Sequence, residues 1–181
     1  MNPFFDLFLL VFIGLSVGFD ITEKRIPNRL ILVAITGGIL FNGWKGMGQL
    51  LASFLGLGLG IGILIIPFAF GWLGAGDVKF LGAVGAILGV QLVPRIFFYS
   101  AILGGVLAVI ALAYNRSMSL EAVKGAWRDF MLLILSCGVV RAETVSEKNP
   151  KGRLTVPYGV AIGLATLVAF YLDPKGEWAG F

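Results

Sequence analysis

Residues 49–70 read QLLASFLGLGLGIGILIIPFAF, a run of 22 positions without a charged side chain. A helix needs about 20 apolar residues to cross a hydrocarbon core of roughly 30 Å. It is also the open-ended element that satisfies its own backbone in lipid, so this stretch reads as a membrane span. Comparable apolar runs flank it at 4–19, 30–44, 78–93, 95–114 and 154–172, those at 30–44 and 78–93 being marginal in length. A further run, Phe130 to Val140, is about half a span and reads as a re-entrant or interfacial helix. The expectation is all-α, a polytopic transmembrane bundle of about six helices. Residues 1–181 then form a single membrane domain, with 115–153 a cytoplasmic loop that carries the shorter helix. Seven spans would place the C-terminus on the opposite side.

Composition agrees. The chain is 58% hydrophobic and 13% charged, against about 25% charged in an average soluble domain, and its mean hydropathy is +0.94. No polar mature chain follows residue 20, so the first apolar run is expected to be retained rather than cleaved as a signal peptide. With no histidine and a single cysteine, Cys137, neither a zinc peptidase nor Ser-His-Asp chemistry fits, and no metal or other cofactor is expected. The net charge of +4 sits in loops between apolar runs, where orientation and anionic lipid explain it better than nucleic acid does.

Loops rich in Lys and Arg stay in the cytoplasm. In a six-span arrangement one face receives Lys24, Arg25, Arg29, Lys79, Arg116, Lys124, Arg128, Arg141, Lys148, Lys151 and Arg153, and the other Lys45, Arg95 and Lys175. Eleven against three puts the N-terminus outside and the segments 20–29, 71–79 and 115–153 in the cytoplasm, in a multi-pass protein of the cytoplasmic membrane. Glycine spacings such as Gly56, Gly58, Gly60, Gly62 and Gly82, Gly85, Gly89 suit close packing of helix backbones in lipid.

Two carboxylates fall at the boundary on that cytoplasmic side. Asp20 ends the first run, and Asp77 follows the turn Gly71-Trp72-Leu73-Gly74-Ala75-Gly76 and opens the fourth. Ionisable groups at the edge of hydrocarbon are costly and usually face a cavity. Either aspartate alone reads as a loop or helix-start residue. Together, on one face and in a glycine context, they read as a pair. Two carboxylates held close share a proton. The ionised one takes a proton from a water between them while the protonated one polarises a carbonyl, after which the roles exchange. Gly74 and Gly76 are expected to let the backbone turn sharply and to admit an extended substrate strand.

Gly74-Ala75-Gly76-Asp77-Val78-Lys79-Phe80 resembles the GxGD signature of membrane-embedded aspartyl peptidases, most closely that of type IV prepilin peptidases. Asp20 to Asn28, with Ile26-Pro27-Asn28 at its end, resembles that family's first motif. Val156-Pro157-Tyr158-Gly159 resembles its C-terminal Pro-Tyr/Phe-Gly element. Presenilin-type and signal-peptide peptidases share GxGD but place a Tyr-Asp pair earlier, whereas Phe19 precedes Asp20 here. The resemblance implies that Asp20 and Asp77 are the catalytic pair. It also implies prepilin or pseudopilin substrates, whose short basic leader is cut at the cytoplasmic face.

The long bifunctional members carry an insertion with paired Cys-x-x-Cys motifs and also methylate the product. With Cys137 alone, methylation is not expected, and the size resembles the short peptidases of tight-adherence, Flp-type pilus systems, or the archaeal preflagellin peptidases, the motif wording favouring the bacterial short form. Pro27, Asn28 and Pro157 read as turn and helix-start residues. Tyr158 reads as an interfacial aromatic that could also donate into the cleft, and Lys79 as a positive-inside anchor or a partner of a carboxylate. Glu23, Glu121, Asp129, Glu143 and Glu147 are the acidic candidates for meeting a basic leader. The competing reading is a transporter or secretion-system component in which the aspartates bind protons or cations.

Overall fold

A computed structural model describes residues 3–23, 25–69, 73–114 and 158–172. The 115–153 loop with its expected short helix, Cys137 and Pro157 lie outside the described residues. The chain divides into two compact units, Met1–Gly104 with Pro157–Phe181, and Gly105–Val156. The cleft described below and the helices around it belong to the first. Of the second, the described part is the stretch of α5 up to Tyr114.

The described residues form six α-helices: α1 Pro3–Thr22, α2 Asn28–Lys45, α3 Met47–Ala69, α4 Ala75–Leu88, α5 Val93–Tyr114 and α6 Tyr158–Leu167, the last continued by a π-helical turn, Val168–Leu172. Pro3–Glu23, Met47–Ala69 and Val93–Ile110 are long and apolar enough to cross a membrane. The protein is a membrane protein whose described residues are helical.

At the centre stands α4, whose residues from Asp77 to Ile87 are almost all buried, as expected of a helix apolar all round. It packs against α3 most extensively, then α2, then α6, while α1 lies chiefly on α6. Small residues bring α3 and α4 together. A Cβ on Gly56 would collide with the Gly85 carbonyl, and one on Gly60 would stand 2.6 Å from the Leu81 oxygen. Gly58 and Gly62 have nothing within 4 Å of that position. Close packing therefore uses alternate members of the glycine run, which follow the inward stripe Ser53, Gly56, Gly60, Leu64.

The fourth run differs from expectation. Instead of spanning 78–93, the helix stops at Leu88, where Gly89 turns the chain at φ +85 and donates to the Gly85 carbonyl at 2.9 Å. The carbonyls exposed by that stop are met from other helices. Asn42 Nδ2 donates to the oxygens of Ala86 and Ile87 at 3.2 and 2.9 Å, and Ser53 Oγ donates to Ala86. Since the last carbonyls of any helix lack intrahelical partners, these two polar side chains are what let α4 end in an apolar interior.

Along α1 the buried stripe is Leu9, Phe12, Ile13, Ser16 and Asp20, so Asp20 is the polar end of a core-facing row. Phe12 meets Phe80 of α4 edge-on, with centroids 5.4 Å apart.

Candidate active site

The connection between α1 and α2 and the start of α4 together wall an open cleft of about 610 Å³. Asp20 and Asp77 both line it, and each is only 9% exposed. Burial pushes the Asp77 carboxyl up to about 6, and the charge of Asp20 adds a smaller push in the same direction.

Asp77 sits at the third position of α4 and is held by the helix start. Its N–H donates to the Gly74 carbonyl at 3.1 Å, and its Oδ2 accepts from the Gly74 N–H at 3.0 Å. This is the backbone-directed half of a capping box. The helix-start role and the cleft role therefore coexist, because the second carboxylate oxygen remains available to the cleft. Asp20 is held differently. Gly159 lies against its carboxylate, and the first-turn amides of Gly159 and Val160 on α6 face it. Asp20 Oδ2 is buried and, among the described residues, meets no donor at full hydrogen-bond geometry.

The backbone at the turn does not itself call for glycine. Gly74 has φ −79 and ψ 153, an extended conformation open to any residue, so no sharp turn requires it. A Cβ on Gly76 would meet nothing closer than Ile26 atoms at 3.8 Å. Both glycines line the cleft, so their bareness leaves room in the cleft wall rather than serving the fold.

Pro27 and Asn28 also line the cleft. Pro27 occupies the cap position of α2 at φ −59, its carbonyl accepting from Leu30 and Ile31 at 3.0 and 3.3 Å. Asn28 makes no capping bond. Its Oδ1 accepts from Lys79 Nζ at 2.9 Å, so Lys79 ties the start of α2 to α4. Neither role expected for Lys79 included that bond. Glu23 and Arg25 complete the charged lining.

Tyr158, expected as an interfacial aromatic with a possible reach into the cleft, is tied to α5. Ser100 Oγ donates to the Phe97 carbonyl at 2.8 Å, so the 3.1 Å contact between Ser100 and Tyr158 has the tyrosine as donor. Its ring lies against Gly104, where a Cβ would stand 2.7 Å from it. Ser100 went unnoticed in the sequence, its signal being one buried hydroxyl within an apolar run. Among the described residues no cluster of three or more His, Cys, Asp or Glu could hold a metal.

The sequence model of the type IV leader peptidase family matches residues 7–109, more than half the chain and the part that holds both aspartates. The chain belongs to this family. Among curated proteins it is similar to the prepilin leader peptidase/N-methyltransferases of Aeromonas salmonicida (strain A449) and Aeromonas hydrophila, each 31% identical over 109 residues. Those alignments cover 56% of this chain and 38% of each relative, so the match spans well under half the length of these family members. No solved structure matches.

Proposed function

We propose that the protein is a membrane-embedded aspartyl endopeptidase that removes the leader peptide from prepilin-like proteins at the cytoplasmic face, with Asp20 and Asp77 as its catalytic pair. The observation that carries this reading is the convergence of these two aspartates, 57 positions apart in the sequence, on one cleft in a chain of the leader peptidase family. A water between the carboxylates loses its proton to the ionised one as it attacks the scissile carbonyl, which the protonated one polarises. The proton then passes to the leaving amine as the two aspartates exchange roles.

The bare wall at Gly74 and Gly76 suits an unwound substrate strand, since a helical backbone keeps its carbonyls engaged. Pro27 and Asn28, with the Lys79 bond, hold the facing wall. The face that carries eleven of the fourteen basic residues is the cytoplasmic one, which agrees with leader removal on that side. The inner membrane, the lipid bilayer and a prepilin or pseudopilin are the surroundings and substrate this reading assigns.

The test is cleavage of a co-expressed prepilin, read as a gel shift, by wild type, Asp20→Asn and Asp77→Asn, with membrane insertion verified for each. Processing by wild type and complete failure of both inserted variants is expected. Residual cutting by either variant would make that aspartate structural and overturn the mechanism.

A further inference from the structure

Six serine and threonine hydroxyls fall within the described residues, and five are engaged. Thr22, Thr36 and Thr166 donate to the carbonyl four residues earlier, Ser100 to Phe97, and Ser53 to Ala86 of α4. The sixth, Ser16, is fully buried and its Oγ has no partner. It also forgoes the carbonyl one turn back that the three threonines use.

One turn further along the same inward stripe stands Asp20, whose Oδ2 is likewise buried and unpartnered. Side chains four apart on a helix have Cβ atoms about 5–6 Å apart, a gap that a hydroxyl and a carboxylate can close by rotation about χ1. A buried hydroxyl with no acceptor thus stands one turn from a buried carboxylate oxygen that the Gly159 and Val160 amides face from α6 without meeting it at full hydrogen-bond geometry, and leaving the hydroxyl alone is unfavourable.

We infer that Ser16 is a positioning residue for Asp20, its hydroxyl donating to Oδ2 from the interior side. The inference rests on the peptidase reading above. In Asp77 one oxygen is anchored by the Gly74 amide while the other serves the cleft. Ser16 gives Asp20 the same division, fixing which oxygen faces the water. Ser16 does not touch substrate and acts through Asp20.

The experiment measures kcat and KM for prepilin cleavage by the full chain in detergent, for wild type, Ser16→Ala, Ser16→Cys and Asp20→Asn, with thermal unfolding of each. Ser16→Ala is expected to lower kcat about tenfold or more through misplacement of the carboxylate, with KM unchanged. Ser16→Cys, which is somewhat larger and has only a weak donor, is expected to fall between. A Ser16→Ala variant with wild-type kcat, or one whose loss appears in KM or only alongside lowered thermal stability, overturns the assignment. If Asp20→Asn cuts as well as wild type, the peptidase reading itself fails. If Asp20→Asn is inactive while Ser16→Ala is normal, the Ser16 inference alone fails.

Discussion

A Cβ on Gly159 would stand 2.5 Å from Oδ2 of Asp20, so the first turn of α6 reaches that carboxylate because residue 159 has no side chain. Gly159→Ala must push α6 away from α1 or turn the carboxylate aside. The expected outcome is a protein that still inserts but cleaves about a hundredfold more slowly, the scale of a misplacement of roughly 1 Å. Cleavage rates together with carbonate extraction of membranes check it, and wild-type rates would mean the contact is slack.

The bond of Asp77 at the α4 start and its proposed part in catalysis can be separated by substitution. Asparagine keeps an oxygen for the Gly74 N–H, so Asp77→Asn is expected to abolish cleavage while leaving unfolding in detergent near wild type. Asp77→Ala removes the bond at the α4 start as well and is expected to cost about 1 kcal/mol of stability besides. Equal unfolding of the two variants would contradict the bond seen at 3.0 Å.

Gly76→Ala tests whether the turn glycine serves substrate rather than fold. Alanine is the better helix former by about 1 kcal/mol, and its methyl would find only ordinary contact with Ile26. Thermal stability is therefore expected to be unchanged or slightly raised while kcat/KM falls about tenfold, because the reacting strand is held out of line. Wild-type kinetics would show that the wall has room to spare.

The α3–α4 contact predicts a contrast within one glycine run. Gly56→Ala places a methyl against the Gly85 carbonyl and is expected to destabilise by about 1–3 kcal/mol through overpacking. Gly58→Ala, with open space around it, is expected to be neutral or mildly stabilising. Unfolding of the two variants in the same detergent decides the matter.

The helical membrane class and the common face of the two aspartates could be read from residue order, because apolar run length and Lys/Arg asymmetry are local signals. Which glycines pack could not. In a helix apolar on every side, lipid-facing and core-facing positions look alike, and nothing nearby distinguishes Gly56 from Gly58. The end of α4 was hidden for a different reason. Gly89 to Leu92 are polar only at Gln91, and the groups that cap the helix end, Asn42 and Ser53, lie more than thirty residues away. The bond between Tyr158 and Ser100 was not legible either, because Ser100 is a lone hydroxyl in the 95–114 run.

With 14 residues, α4 is about 21 Å long at 1.5 Å per residue, well short of the roughly 30 Å of hydrocarbon around it. Spanning helices answer a thicker or thinner bilayer by tilting or by deforming the lipid, but α4 has no far end of its own to match. Its depth is set by the glycine faces of α3 and by the grip of Asn42 and Ser53. Asp77 is thus a passenger on its neighbours, and a membrane of altered thickness shifts it only as far as α2 and α3 themselves move.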